Sequence, residues 1–182
     1  RRARDDPSLP PSSVRIVFVE EPVGDDWGAF LSNSGAEAME AAVKLARVVT
    51  GRPAILTFRG GFHGRTAQTM ALTSAKTIYR GDYEPLPGSV YHAAYPYCYR
   101  APGGPHPIDA CRCDWEAQLE RLFAELVYPA RVAAIVVEPV LGEGGYIVPP
   151  PGFLPRLREA GVDERSIEQM TVLNPRRILT IG

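Results

Sequence analysis

The sequence predicts an α/β fold in which a mostly parallel sheet is flanked by helices. Two amphipathic helix patterns are each followed by a short apolar segment with the length of a strand. The second of these segments, residues 132–137, is apolar at every position, as is typical of a strand buried on both faces. Helices that alternate with buried strands favour a parallel sheet over other arrangements.

Size and composition agree with a globular domain. The chain has 182 residues and a net charge of −1, and 45% of its residues are hydrophobic, which is enough to build a core. The near-zero charge argues against a general nucleic-acid-binding protein. The apolar run at 132–137 is too short to span a membrane. Because the sequence begins with Arg1 rather than Met, we expect it to be a fragment or a processed product.

The first predicted helix has clear start and stop signals. Ser34 and Glu37 have the spacing of a capping box, which marks a helix start. Apolar residues then recur at helical spacing, at Met39, Ala42, Val43, Ala46 and Val49. Gly51 and Pro53 are expected to end the helix.

The remaining elements follow from shorter signals. We predict strands at 14–20, 54–58 and 132–137, a glycine-rich turn at 60–66, a short helix at 66–73 and an amphipathic helix at 115–126. The 17 glycines and 18 prolines are concentrated at 81–104 and 139–155. Both stretches are therefore expected to be long ordered loops without regular elements.

Three short segments contain residues suited to ligand binding. Ser34, Gly35 and Ala36 begin a helix, where free backbone N–H groups and the helix dipole favour a phosphate. By itself this motif is more typical of a plain capped helix. In the second segment, Phe62 can stack on a planar cofactor and Arg65 can bind a carboxylate. The alternative is a surface turn with a solvated Arg65 and with His63 bonded to backbone.

The third segment follows the apolar run at 132–137. Glu138 lies where open α/β sheets place ligand-binding groups, and a buried carboxylate at this position needs a partner. Glu143, in the glycine-rich loop that follows, can pair with a cation. The alternative is a structural turn held by proline and glycine.

The cysteines do not predict a metal site. Cys98, Cys111 and Cys113 make an odd number, which fits reduced thiols in a cytoplasmic protein. The pair Cys111 and Cys113, with His92 and His106 nearby, suggests zinc, but the spacing matches no standard ligand pair. We therefore expect loop cysteines and no bound metal.

Taken together, the three segments resemble one enzyme family. The stretches N-S-G-A-E-A-x-E-A-A-x-K-L-A-R, G-G-F-H-G-R-T and V-E-P-V-x-G-E-G-G-Y are similar to those of the class III aminotransferases, in the branch acting on 4-aminobutyrate and other ω-amino acids. The resemblance implies part of the large domain of a fold type I (aspartate aminotransferase-like) enzyme. It divides the chain into an atypical lead-in at 1–28, a partial large domain at 29–159 and a divergent tail at 160–182.

The resemblance also implies a cofactor and residue roles. The cofactor is pyridoxal 5′-phosphate, and its contacts would come from Ser34, Gly35, Ala36, Phe62, His63 and Glu138. Ser34, Gly35 and Ala36 would hold the phosphate, Phe62 would stack on the ring, and His63 and Glu138 would lie beside it. On the substrate side, Arg65 would hold the carboxylate remote from the reacting amine, and Glu143 would pair with a distant arginine as a gate.

The implied reaction moves an amino group from an ω-amino acid to a 2-oxo acid in a cytoplasmic homodimer. The family's Schiff-base lysine and its pyridine-nitrogen aspartate lie after the resembling segment. The two lysines of this chain, Lys44 and Lys76, do not match the catalytic position, and no Asp-Glu-Val segment occurs. We therefore assign no catalytic residue and expect the chain to be inactive by itself.

Two alternatives remain at this point. In the first, the chain is a degenerate binding or dimerisation module without catalytic activity. The second rests on residues 162–181, which weakly resemble the end of phosphotriesterase-like amidohydrolases and suggest a fragment of a metal-dependent hydrolase. The metal ligands of that family are absent from these residues, which makes the second alternative the weaker one.

Overall fold

The computed structural model describes residues 32–101 and 103–161. The strand predicted at 14–20, the lead-in at 1–28 and all but the first two residues of the tail at 160–182 lie outside them. The described helices and strands, in chain order, are α1 (Gly35–Thr50), β1 (Ala54–Phe58), α2 (Ala67–Leu72), β2 (Val90–Ala93), α3 (Trp115–Glu125), β3 (Val132–Ile135) and α4 (Phe153–Gly161). None of the described helices is long and apolar enough to cross a membrane.

The three strands form one parallel sheet. Their order is β2-β1-β3, and β1 pairs in parallel with both neighbours. At the centre of the sheet, Leu56 is aligned with Tyr91 of β2 and with Ile135 of β3. Every residue of β1 is buried, as expected for a central strand covered on both faces. The predicted α/β fold with a parallel sheet is confirmed.

Helix α1 begins and ends where its local signals predict. The hydroxyl of Ser34 accepts a hydrogen bond from the N–H of Glu37 at 3.2 Å, and the Glu37 carboxylate accepts one from the N–H of Asn33 at 2.8 Å. Gly51 ends the helix with a φ of 68°, a left-handed conformation that glycine adopts without a steric cost.

A guanidinium at the end of α1 connects three parts of the chain. Arg47 donates hydrogen bonds to the carbonyl of Pro53 at 2.9 Å, to the side-chain oxygen of Gln68 at 2.8 Å and to the carbonyl of Gly88 at 3.4 Å. These partners lie just before β1, in α2 and just before β2. The last turn of α1 is thereby fixed to the segments that lead into two strands.

The two faces of the sheet are covered by different helices. Along β1, Ile55 faces a cluster that includes Met39, Val43 and Ala46 of α1. Leu56 and its neighbours of the same parity face a second, larger cluster that receives α3 and α4. This alternation is the period-two pattern of a strand, and it places one layer of helices on each side.

An aromatic group fastens α4 to the second face. The ring of Phe153, which is 1% exposed, lies 5.5 Å from that of Phe58, 5.2 Å from Tyr95 and 4.9 Å from Trp115, all edge-to-face. Edge-to-face pairs add stability beyond the area that they bury. Phe153 therefore anchors the chain segment that follows the loop after β3.

The prediction that residues 81–104 lack regular elements is wrong. Strand β2 (Val90–Ala93) lies within them, flanked by turns that contain glycine and proline. It is four residues long and mostly half-buried, so its sequence has neither the length nor the apolar character of the other strands. Its pairing with β1, a contact distant in sequence, stabilises it. Similarly, α4 begins inside the second predicted loop, at 139–155.

Candidate functional site

The site is built from the loops that follow β1 and β3. Both strands run in the same direction, so their carboxyl ends meet at one edge of the sheet. The Glu138 carboxylate joins the two loops: Oε1 accepts a hydrogen bond from the N–H of Phe62 at 2.6 Å, and Oε2 accepts one from the N–H of Gly142 at 2.8 Å. The Glu138 carboxylate is partly buried, and the partners that it was predicted to need are backbone N–H groups.

Glycine allows these two loops to approach each other. A Cβ atom on Gly144 would lie 2.7 Å from the carbonyl oxygen of Gly60, closer than real Cβ contacts allow. The hydroxyl of Tyr95 secures the start of the loop after β3, since its one proton is shared between the carbonyls of Glu138 and Pro139, 3.1 and 3.2 Å away. The loop after β3 is thus held from both sides.

A cleft of about 440 Å³ opens at this edge. Its walls include Phe62, Lys76, Glu138, Gly142, Glu143 and Tyr146. The ring of Phe62 is half-buried and packs edge-to-face on Tyr79 with 5.0 Å between ring centres. Three of the residues predicted for the site, Phe62, Glu138 and Glu143, are therefore brought to one cleft.

Glu143 is paired with a lysine at the surface of this cleft. Its carboxylate lies 2.9 Å from the Lys76 ammonium and accepts a hydrogen bond from the Tyr79 hydroxyl at 2.8 Å. The hydrogen bond from Lys76 lowers the pKa of Glu143, and the same contact raises the pKa of Lys76. The sequence predicted a cation as partner, and within the described residues that cation is Lys76. Its involvement had no signal in the sequence.

His63 lies inside the structure beneath the turn. Its Nε2 is 3.0 Å from the hydroxyl of Thr57, and its backbone N–H donates to the hydroxyl of Thr73 at 2.9 Å. Burial, aided by the charge of His92, lowers the pKa of His63 to about 4. The ring is therefore neutral near pH 7, and its Nδ1 has no hydrogen-bond partner among the described residues.

Arg65 projects from the turn into solvent. In the described part of the chain, no group accepts a hydrogen bond from its guanidinium, which is exposed. The preceding residue, Gly64, packs so closely that a Cβ atom there would lie 2.8 Å from the Cβ of Ala36. The turn that carries Phe62 and Arg65 is thereby fixed against the amino terminus of α1.

That amino terminus is open to a ligand. Ser34 and Gly35 are exposed, and a Cβ atom built on Gly35 would meet nothing within 4 Å. Within the described residues, the N–H groups of Gly35 and Ala36 have no acceptor, as expected at the first turn of a helix. These free donors, together with the dipole of a 16-residue helix, fit an anion such as a phosphate.

The fold and site define an α/β domain with a ligand-binding edge at the carboxyl ends of parallel strands. A family model described as "Aminotransferase class-III" matches residues 15–165. The chain belongs to this family. This match extends beyond both ends of residues 29–159, the segment that the sequence motifs delimited.

Individual relatives agree with this assignment. The chain is 43% identical over 127 residues to a probable 4-aminobutyrate aminotransferase of Bacillus subtilis, and 42% identical over 137 residues to the 4-aminobutyrate aminotransferase of Escherichia coli. These matches cover 69% and 75% of this chain, but only 29% and 30% of the relatives. The chain therefore spans about three tenths of the length of these relatives.

Solved structures give the same result. An amine transaminase from an uncultivated Pseudomonas species, in its PLP-bound form, superposes with a TM-score of 0.63 at 32% identity, covering 71% of this chain and 30% of that one. A taurine:2-oxoglutarate aminotransferase from Bifidobacterium kashiwanohense, in complex with PLP and glutamate, has a TM-score of 0.62 at 30% identity, covering 71% and 29%. The predicted fold type and family are confirmed.

We predict that Glu138→Gln destabilises the fold by about 1.5–3 kcal/mol, the usual value of hydrogen bonds to a charged group. A glutamine offers one acceptor oxygen, so its NH₂ group would face one of the two N–H donors. Urea unfolding measures the change. Glu143→Gln is the matched control in the same loop, and we expect a smaller change because that carboxylate and its ion pair with Lys76 are solvent-exposed. Equal effects of the two substitutions would contradict the bridging role of Glu138.

We predict that acid destabilises the chain through His63. Because the pKa of His63 is about 4 when folded and near 6.5 when unfolded, the unfolded state takes up the proton first as the pH falls. The free energy of unfolding should drop by about 2 kcal/mol between pH 7 and pH 5 from this group. In His63→Gln this dependence should be reduced.

A parallel series with His92→Gln separates the two histidines, since burial also lowers the pKa of His92. An unchanged pH dependence in His63→Gln would show that His63 is not the group responsible.

Proposed function

We propose that this chain carries the cofactor-phosphate, ring and carboxylate contacts of an ω-amino-acid aminotransferase that uses pyridoxal 5′-phosphate. One observation carries the proposal: the three family segments meet, with the Glu138 carboxylate joining two of them and Gly64 packing against Ala36 of the third. The relatives support the substrate class, since their names include 4-aminobutyrate and 5-aminovalerate aminotransferases. A 2-oxo acid is the proposed amino acceptor.

The amino terminus of α1 would hold the cofactor phosphate. The N–H groups of Gly35 and Ala36 and the hydroxyl of Ser34 can all donate to phosphate oxygens, since the Ser34 hydroxyl uses only its acceptor side in capping the helix. The pyridoxal group, when bound, supplies the electron sink for amino transfer. The protein's part is to bind and orient it.

The loop after β1 would position the ring. Phe62 presents an aromatic face beside the cleft, and its backbone N–H is fixed by Glu138. Because both carboxylate oxygens of Glu138 already accept backbone hydrogen bonds, we assign this residue to holding Phe62 in place rather than to proton transfer. The neutral His63 supports the same turn from below through Thr57 and Thr73.

Arg65 would bind the substrate carboxylate remote from the amine. Its guanidinium is exposed and can form the two parallel hydrogen bonds that a carboxylate accepts. A substrate with a second carboxylate would also meet the pair of Glu143 and Lys76 at the cleft. We propose that this pair takes part in distinguishing substrates with and without a carboxylate beside the amine.

The two lysines of the chain are poor candidates for covalent attachment of the cofactor. Lys44 is exposed on α1, and Lys76 is held in its protonated form by Glu143, which removes the lone pair needed for attack. We therefore propose that the lysine and the aspartate of the reaction are not supplied by these 182 residues. A cytoplasmic homodimer is proposed on family resemblance alone, and no observation favours a hydrolase.

We predict that the chain binds pyridoxal 5′-phosphate reversibly and catalyses no transamination of 4-aminobutyrate. Equilibrium dialysis should detect binding, and borohydride reduction followed by peptide mass spectrometry should find no stoichiometric adduct at either lysine. Gly35→Ala should weaken binding at least about tenfold, which corresponds to about 1.4 kcal/mol, because a methyl group would stand beside the N–H groups proposed to hold the phosphate. The fold should be kept, since alanine is the better helix former.

Gly88→Ala is the matched control, as a Cβ atom there also meets nothing within 4 Å. A single stoichiometric lysine adduct accompanied by turnover would contradict the assignment of catalysis to residues outside this chain. Equal binding by all three proteins would contradict the phosphate site.

A further inference from the structure

A long connection between β2 and α3 is ordered with very little apolar support. The described part of residues 94–114, which leaves out residue 102, contains no helix or strand apart from short 3₁₀ turns at Cys98–Arg100 and Ile108–Ala110. Tyr95 belongs to the main core, and the other buried hydrophobic residues of this connection, Cys98, Ala101 and Cys113, form a separate small cluster. Loops of this length rarely keep one conformation without an additional constraint, and small lobes are commonly stabilised by a disulfide or a metal.

The loop brings four metal-binding side chains to one point. The three cysteine sulfurs and a ring nitrogen of His106 all lie within 4.8 Å of one another. Backbone hydrogen bonds produce this approach: the N–H of His106 donates to the carbonyl of Cys98 at 3.2 Å and folds the loop back on itself. The N–H of Cys113 then points at the sulfur of Cys111, 3.4 Å away.

Two of the distances between these side chains are close to those of a metal-centred tetrahedron. With Zn–S bonds of about 2.3 Å and Zn–N bonds of about 2.0 Å, two sulfurs lie roughly 3.8 Å apart, and a sulfur and a nitrogen roughly 3.5 Å apart. The sulfurs of Cys98 and Cys113 are 3.8 Å apart, and Cys113 Sγ is 3.7 Å from His106 Nε2. A disulfide would need about 2.05 Å between sulfurs, so these cysteines are not bonded to each other.

We propose that Cys98, His106, Cys111 and Cys113 form a tetrahedral zinc site that holds the connection between β2 and α3 in place. Thiolate and imidazole ligands in a tetrahedral arrangement are typical of zinc. Four protein ligands leave no open position for substrate, so the site is structural rather than catalytic. This inference is independent of the proposed aminotransferase function.

Binding requires a small chemical rearrangement. The three thiols lose their protons to solvent as they become zinc ligands. The Nε2 of His106 now accepts a hydrogen bond from the N–H of Arg112 at 2.8 Å, and it would exchange this bond for one to the metal. The side chain is thus already placed with its acceptor nitrogen toward the cysteines.

The sequence prediction of no metal site differs from this proposal for two reasons. It grouped Cys111 and Cys113 with both neighbouring histidines, whereas His92 belongs to β2 and its Nε2 lies 3.3 Å from the carbonyl of Leu72. It also did not include Cys98, whose approach depends on the fold of the loop. The resulting order of ligands matches none of the standard spacings.

The 182-residue chain, reduced and kept free of oxygen, should bind one zinc ion in competition with a chromogenic chelator. Co²⁺ in its place should give the visible absorption of a four-coordinate site together with sulfur-to-metal charge-transfer bands. His106→Gln should weaken zinc binding by more than about 100-fold, because even groups that only support a ligand are worth about 10–100-fold. His92→Gln, the matched histidine control, should bind as the wild type does.

A second measurement needs no substitution. Zinc should protect all three cysteines of the wild-type chain from alkylation, and removing zinc with a chelator should expose them and lower the melting temperature. Binding of less than one equivalent, equal binding by His106→Gln and His92→Gln, or a mass showing a Cys98–Cys113 disulfide in the chain as purified from cells would each overturn the proposal. Iron with labile sulfide in place of zinc would also overturn it.

Discussion

The geometry of the candidate site depends on one carboxylate that two loops share. Glu138 follows a buried strand, and its two oxygens accept the N–H groups of Phe62 and Gly142. The loop with the ring and the loop with Glu143 are therefore fixed relative to each other, although 76 residues separate Glu138 from Phe62. Because a charged acceptor forms stronger hydrogen bonds than a neutral one, this single residue can keep both loops in one arrangement.

The hydrogen bonds at this site distinguish residues that position other groups from groups that remain free to bind a ligand. A carboxylate whose oxygens both accept hydrogen bonds from the backbone is kept in one orientation, which suits it to positioning. The buried His63 is kept neutral and bonded to Thr57, so it also supports the turn. Among the described site residues, the groups that remain free for a ligand include the first N–H groups of α1 and the guanidinium of Arg65. In the proposed function, the described edge of the sheet would offer the first N–H groups of α1 to the phosphate and the Arg65 guanidinium to the substrate carboxylate.

The structural features that depend on neighbouring residues in the chain were the ones that could be predicted from the sequence. The start of α1 at Ser34 and its end at Gly51 depend on neighbouring residues, and both were predicted. Strand β2 was not, because four half-buried residues become a strand only through pairing with β1. The partners of Glu138 and the lysine against Glu143 are likewise contacts between distant segments. The convergence of Cys98 with Cys113 depends on a folded loop, which spacing alone does not reveal.

The contacts of Arg47 change how one family motif should be understood. Its K-L-A-R stretch resembles the aminotransferases, and in the structure this arginine joins Pro53, Gln68 and Gly88. A flat guanidinium with several donors can reach three acceptors in different directions, whereas an ammonium on a flexible stem cannot reproduce that arrangement. Lysine at this position would keep the positive charge but lose the planar set of donors that reaches the three acceptors. Part of the sequence similarity between this chain and its relatives is therefore explained by residues that hold the fold together, and not by residues that bind cofactor or substrate.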